Sequence, residues 1–276
     1  YARAAYLHEE RRYKAYSDLC TQILTGLNEA QIPVVALKAC VVAETAYPEP
    51  ADRHCHAVDL LVNKSDLIRA GAVIEGADFT LNEAQLRPGP HHISYRHRHG
   101  LPLELHTRLL ALPDYDLDPE DIWRRSEPGL IAGVATCVPS PADNLIHICG
   151  LAASERGRLN LRWACDSWYL IDRNPSLDWV AFLEGAASSG LALPLYVLIR
   201  YLADELAAPV PEDVLQKLQG LARQAGSKDR EAALFGAAIG LSSANRALFG
   251  RTVDGRSRAE VAKYILGIIS KRMVGF

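Results

Sequence analysis

The sequence predicts an α+β chain: an α/β domain with a mixed sheet over residues 1–139, followed by an all-α helical domain over residues 140–276. Three observations lead there. Short apolar, β-rich runs alternate with helical periodicity as far as Val138. The punctuation Pro139-Ser140-Pro141 then changes the pattern, and almost every later segment reads as helix. Hydrophobic residues make up 49% of the chain, enough for a sizeable core and too many for global disorder.

Each element has its local reason. Residues 6–30 read as an amphipathic helix, with Leu19, Ile23 and Leu27 at spacing four and Tyr16 a turn earlier. Pro33 closes it, because the residue before a proline is pushed out of helical geometry. Val34-Val35-Ala36-Leu37 has strand length, and a small-residue helix follows over residues 41–46. A Pro-rich loop carrying Arg53 leads to Ala57-Val58-Asp59-Leu60-Leu61-Val62, a β-rich run with one acid. The turn Asn63-Lys64-Ser65-Asp66 supplies an N-cap to a helix over residues 67–76, and Phe79-Thr80-Leu81 starts another strand. Residues 91–98 and 101–110 read as an antiparallel hairpin turning at His99-Gly100. Asp118 opens a short helix through Trp123, and residues 130–138 form a further β-rich piece around Gly133. Ser140, with Pro141 at the first helical position and Asp143 in the first turn, begins the helical domain. Its helices are expected at residues 141–154, 161–173, 179–188, 193–205, 212–224, 230–241 and 258–273.

Bulk properties narrow the function. A net charge of -3 offers no basic excess for phosphate-backbone contacts, which argues against nucleic acid as partner. The longest apolar segment, residues 191–202, contains Pro194 and Arg200 and is too short to span a bilayer. Six cysteines (Cys20, Cys40, Cys55, Cys137, Cys149 and Cys165) form no CxxC pair, so reduced core thiols in a cytoplasmic protein are expected. The last amphipathic stretch, with Lys263, Lys271 and Arg272 beside Ile265, Leu266, Ile268 and Ile269, is suited to packing on its own domain or on a second subunit of a homo-oligomer.

The segments Ala36-Leu37-Lys38-Ala39, Tyr47-Pro48-Glu49-Pro50 with Arg53, Ala57-Val58-Asp59-Leu60-Leu61-Val62 and Leu103-Glu104-Leu105-His106 carry a resemblance. Their order and spacing are similar to the uncharacterised nucleotidyltransferase family within the DNA polymerase beta-like superfamily. Leu161-Arg162-Trp163-Ala164-Cys165-Asp166 resembles a helical segment of the same family. The resemblance covers about residues 15 to 210. It implies a polymerase beta-like nucleotidyltransferase domain followed by a helical domain. The implied activity is transfer of a nucleoside monophosphate from an NTP to a small-molecule, peptide or protein acceptor. Two positions depart from the family pattern: its glycine is Ala39, and its first aspartate is Ala57.

The chemistry explains why these positions matter. Nucleotidyl transfer needs divalent cations to neutralise phosphate charge, and Mg²⁺ takes oxygen ligands. Two acids one residue apart on a strand point the same way, and a third from a neighbouring strand completes the cage. By resemblance, Asp59 fills the second position and Glu104 the third, as catalytic and metal-holding residues, while Ala57 offers no ligand. Lys38 and Arg53 would hold phosphates. The reading from residues alone is an ion pair of Asp59 or Glu104 with Lys38 or Arg53.

Seven of the nine histidines lie between His54 and His106. Glu104 and His106 share a strand face by parity, and His92 joins them if the neighbouring strand pairs there. Such a cluster with Asp59 suits a softer transition metal better than Mg²⁺. On the helical side, Arg162 and Asp166 are spaced i,i+4; they pair on the helix surface or face the cleft and position substrate. Two rival functions therefore stand beside nucleotidyl transfer. One is a degenerate member, a pseudoenzyme that binds a nucleotide, peptide or partner protein. The other is a His-assisted metal-dependent hydrolase.

Overall fold

The computed structural model describes residues 2–82, 92–110, 115–154 and 162–224. The chain divides into two compact units. One is drawn from Tyr1–Ala111 and Leu117–Asn144, the other from Leu112–Asp116 and Leu145–Phe276.

The first unit opens with helix α1 (Ala2–Glu29), whose Tyr16, Cys20, Ile23, Leu24 and Leu27 are all buried. Strand β1 (Val34–Ala36) follows, then α2 (Ala39–Thr45), a short 3-10 turn at Pro50–Asp52, and strand β2 (Val58–Val62). Helix α3 (Leu67–Gly76) begins where expected, although Asp66 makes no side-chain cap: residues Lys64–Asp66 form a 3-10 turn that leads into it instead. Strands β3 (Phe79–Leu81), β4 (His92–His97) and β5 (Pro102–His106) come next. The β4–β5 hairpin turns at Gly100, where φ is +93° and a side chain would be strained. The expected partner strand over 101–110 is shorter, ending at His106.

Helix α4 (Pro119–Arg125) is capped by the Asp118 carboxylate, which accepts from the Glu120 amide. The β-rich piece expected around Gly133 is a second hairpin, β6 (Glu127–Ile131) and β7 (Val134–Val138), with Ala132 and Gly133 both at positive φ in its two-residue turn. That geometry is the one two-residue hairpin loops require.

The strands form one seven-stranded mixed sheet in the order β3-β4-β5-β2-β1-β7-β6. β2 runs antiparallel to β1 but parallel to β5, and β1 runs parallel to β7. Strand parity sorts the side chains. Val58, Leu60 and Val62 of β2, with Leu103 and Leu105 of β5, join the α1 and α3 residues in the hydrophobic core. The alternate residues, Asp59, Glu104 and His106, leave by the opposite face.

Helix α5 (Pro141–Ser154) starts with the expected cap, the Asp143 amide donating to Ser140 Oγ at 3.2 Å. The second unit then contains α6 (Arg162–Arg173), α7 (Trp179–Ser188), α8 (Ala192–Leu206) and α9 (Glu212–Arg223). Helix α8 brings nine buried residues to this unit's core and ends on Ala207 in the left-handed region. The helices expected over residues 230–241 and 258–273 lie outside the described residues. All six cysteines are free thiols, but not all are core residues: Cys165 is exposed and Cys137 half-buried. Among the described residues, no helix is long and apolar enough to cross a membrane.

Candidate functional site

The register of three adjacent strands builds the site. In the parallel β2–β5 pair, Asp59 lies opposite Glu104. In the antiparallel β4–β5 pair, Ser94 lies opposite Glu104 and His92 opposite His106. Directly opposed residues point to the same face. Asp59, Glu104, His106, His92 and Ser94 therefore form one polar patch on the sheet face away from the α1–α3 core. Ser94, buried beside Glu104, is absent from the sequence reading. Its signal was its parity with His92, two residues before it on the same strand.

Lys38 enters this patch from the end of β1. Its Nζ lies 2.7 Å from Asp59 Oδ1 and 3.2 Å from Glu104 Oε2. The backbone that delivers it is strained, with φ +56° and ψ −128°. Those angles match the first central position of a type II′ turn, which glycine dominates. The sequence places the need for positive φ at Ala39; the structure places it one residue earlier, on Lys38 itself. Strain of this kind persists only where the surroundings over-determine it. Here the turn is fixed on both sides: the Leu37 amide donates to the Asp59 carbonyl at 2.9 Å, and the Val42 amide donates to the Lys38 carbonyl at 3.1 Å.

His106 completes the inner network. Its Nε2 lies 2.9 Å from Asp59 Oδ1 and 3.4 Å from Glu104 Oε2, and the ring is fully buried. His92 Nε2 stands 3.9 Å from Glu104 Oε1. Burial alone would push the Asp59 carboxyl upward, but the Lys38 charge and the His106 hydrogen bond outweigh it and hold Asp59 well below the usual carboxylate range. Glu104 shows the same balance: burial raises it, while the His106 hydrogen bond and Lys38 win and lower it. Burial opposes the Lys38 charge, and the two carboxylates outweigh that and raise its pKa. His92 is lowered, mainly by burial, so it sits neutral at the edge of the patch. The ion pair that the residues alone suggested for Asp59 and Glu104 is thus present, with Lys38 as its cation.

The other expected residues lie elsewhere. Arg53 is buried at the end of the Pro50–Asp52 turn, where its guanidinium donates to the carbonyl of His54. His54 pairs with Glu9 of α1, and His97 packs on Phe79 with His99 beside it. Arg162 and Asp166 belong to α6 in the second unit, and Asp166 is buried rather than lying on the helix surface. Asp143 takes a bidentate pair from Arg125 at 2.9 and 2.6 Å, a structural role beyond its cap.

Against this geometry, comparison with protein families finds one model, that of an uncharacterised nucleotidyltransferase, matching residues 1–208. The chain belongs to the uncharacterised nucleotidyltransferase family. Solved structures are similar at a lower level. The antibiotic-resistance factor ANT(2'')-Ia is 14% identical, with a TM-score of 0.41, over 80% of this chain and 95% of that one. The lincosamide antibiotic adenylyltransferase LnuA, in its lincomycin-bound form, is 12% identical with a TM-score of 0.39, over 55% of this chain and 94% of that one. An antigenic nucleotidyltransferase-like protein from Paracoccidioides brasiliensis is 14% identical with a TM-score of 0.42, over 74% and 91%. No curated protein matches the chain.

In this nucleotidyltransferase-family chain, a cage for two magnesium ions does not fit the residues present. Ala57 brings no oxygen to the face, which leaves two carboxylates, Asp59 and Glu104. One divalent cation does fit their donor chemistry. The Lys38 ammonium already acts as a stand-in cation, within ion-pair distance of both carboxylates.

Proposed function

We propose that the protein binds a nucleoside triphosphate at the Lys38–Asp59–Glu104 patch with one divalent cation, and transfers its nucleoside monophosphate to a small-molecule, peptide or protein acceptor. The observation that carries this reading is the opposition of Asp59 and Glu104 on adjacent parallel strands, with a cation already bridging them. Asp59 and Glu104 would hold the ion, which when bound neutralises charge on the phosphates. Lys38, now paired with both carboxylates, would offer its ammonium to a phosphate oxygen as a point charge. His106 keeps Asp59 oriented through its 2.9 Å contact. Glu104, the more exposed of the two acids, is the one an incoming acceptor meets. Arg53, Arg162 and Asp166 are secondary candidates for binding substrate.

A second reading is favoured by Ala57 and by the Lys38 bridge: a degenerate site that holds a nucleotide without turning it over. Calorimetric titration of the four NTPs, with and without Mg²⁺, into the wild type and Asp59→Ala tests the main reading, together with pyrophosphate release. Binding that needs the cation, disappears in the variant and is accompanied by pyrophosphate release supports transfer. Binding without release when small-molecule, peptide and protein acceptors are supplied supports the degenerate site. Failure of every NTP to bind under either condition overturns both.

A further inference from the structure

The polar patch contains a second donor set, which shares Glu104 with the nucleotidyl-transfer reading and adds two imidazoles. His92, Glu104 and His106 each offer one ligand atom, and these atoms all lie within 4.8 Å of one another. Donors held about 2.1 Å from one ion are about 3–3.4 Å apart; His106 Nε2 lies 3.4 Å from Glu104 Oε2 and His92 Nε2 3.9 Å from Glu104 Oε1, so closing on a metal takes side-chain adjustment and a His106 tautomer that moves the Nε2 proton off the Asp59 contact. The backbone already supplies the convergence. His92 and His106 are directly opposed across β4 and β5, their rings 5.2 Å apart, and Glu104 precedes His106 by one pleat on the same face. Asp59 Oδ1, 2.9 Å from His106 Nε2, stands ready as a fourth donor.

We infer that this face binds a first-row transition ion of the zinc or cobalt type through His92, Glu104 and His106, in preference to Mg²⁺. The inference rests on the reading above in taking this face as the ligand-binding one, and it deepens that reading by naming the ion. Two imidazoles and one or two carboxylates form a set that borderline ions favour, whereas Mg²⁺ demands oxygen ligands in octahedral array. The Lys38 ammonium, 3.2 Å from Glu104 Oε2, competes with the ion for the same carboxylate.

The test is calorimetric titration of Zn²⁺, Co²⁺ and Mg²⁺ into chelator-stripped, nucleotide-free protein, with the absorption spectrum of the Co²⁺ form. One equivalent of Zn²⁺ is expected to bind in the presence of excess Mg²⁺. His92→Ala is expected to weaken it at least about 10–100-fold, the range already found for losing an outer-shell partner of a ligand. Lys38→Met, which removes the competing cation, is expected to tighten it. Cys165→Ser is expected to leave Zn²⁺ affinity unchanged, because that exposed thiol is remote in sequence from the donor set. The cobalt spectrum tests the donors in the wild type, so a poorly folded variant does not decide the matter. Ligand-field bands without thiolate charge transfer support the site. Thiolate charge transfer, substoichiometric zinc, or an unchanged affinity in folded His92→Ala overturns it. Zinc binding that depends on His92 in a protein that takes up no NTP would sink the nucleotide reading alone. NTP binding without specific zinc would sink only this inference.

Discussion

Lys38 offers a prediction whose sign runs against the ordinary rule for glycine. Replacing it by alanine removes the cation between Asp59 and Glu104 but leaves a Cβ at φ +56°. Breaking a buried ion pair by deleting one partner costs about 3–5 kcal/mol, because the other charge stays behind in low dielectric. The Lys38 side chain retains 23% exposure and His106 still contacts Asp59, so we place Lys38→Ala lower, at about 2–4 kcal/mol of lost stability. Lys38→Gly loses the same ion pair but relieves the backbone, and strain of this type is worth about 1–3 kcal/mol. Glycine ordinarily destabilises by about 0.5–1 kcal/mol relative to alanine through chain entropy. The balance makes Lys38→Gly more stable than Lys38→Ala by about 1 kcal/mol, with both below the wild type. The assay is denaturant-dependent hydrogen exchange of peptides from Val58–Val62, which isolates the sheet unit from transitions of the second unit. A Lys38→Gly variant no more stable than Lys38→Ala would refute the argument that the turn is strained, and a Lys38→Ala variant equal to the wild type would refute the ion pair's contribution.

The remaining predictions concern titration, thiols and the missing aspartate. The carboxyls of Asp59 and Glu104 are lowered on folding from ordinary values of 3.8 and 4.5, so their contribution is present above those values and is lost as pH falls through the folded ones. His92, lowered from 6.5, adds an earlier loss as pH drops below 6.5. On the alkaline side, burial pushes Cys40 up to about 11 and Cys149 up to about 12 from an ordinary 9.0, so their contribution is lost as pH rises from 9.0 through those values, with Lys38 following only above 10.5. Among these groups, stability is therefore flat between 6.5 and 9.0, which urea midpoints measured across pH will check. Maleimide is expected to label Cys165 in the native protein and to reach Cys40 and Cys149 only on unfolding, a pattern read by mass spectrometry after timed quenching. Ala57→Asp is expected to tighten Mg²⁺ binding by restoring a third carboxylate one pleat before Asp59; calorimetric titration giving the wild-type affinity would contradict that geometry.

Much of the fold was legible because its signals are local. Pro33, Pro139 and Pro141, the spacing of Leu19, Ile23 and Leu27, and the Ser140 cap fix element ends without reference to the rest of the chain. What escaped was less local. The hairpin at Ala132-Gly133 was read as a single β-rich piece because the turn residues follow an apolar run without a polar break. In the patch, parity placed Glu104 and His106 on one face, but whether His92 joined them depended on strand order and register, which no single segment encodes. The place of Ser94 opposite Glu104 depends on the same register. The reading of Lys38 as a phosphate ligand treated it by its position in a motif, whereas its Nζ is placed by a turn whose strain sequence alone assigns to the neighbouring residue.

Of the two departures from the family pattern, Ala57 bears on the charge of this face, whereas Ala39 begins α2, one residue after the strained position. Removing an aspartate from a metal cage lowers the density of negative charge on the face. A nearby lysine then neutralises a larger share of what remains. With three carboxylates, the Lys38 ammonium would be shared among more negative charge than it is with Asp59 and Glu104 alone. The positive φ is borne by Lys38, the residue whose ammonium makes the two contacts. The ion pair and the strain therefore oppose each other at one residue. Displacing Lys38 by a metal ion loses the ion pair but frees the side chain that holds the turn in place. The face that holds this ion pair also holds His92 and His106, so under our inference an ion that competes with Lys38 for Glu104 draws on imidazole donors that the ammonium cannot use.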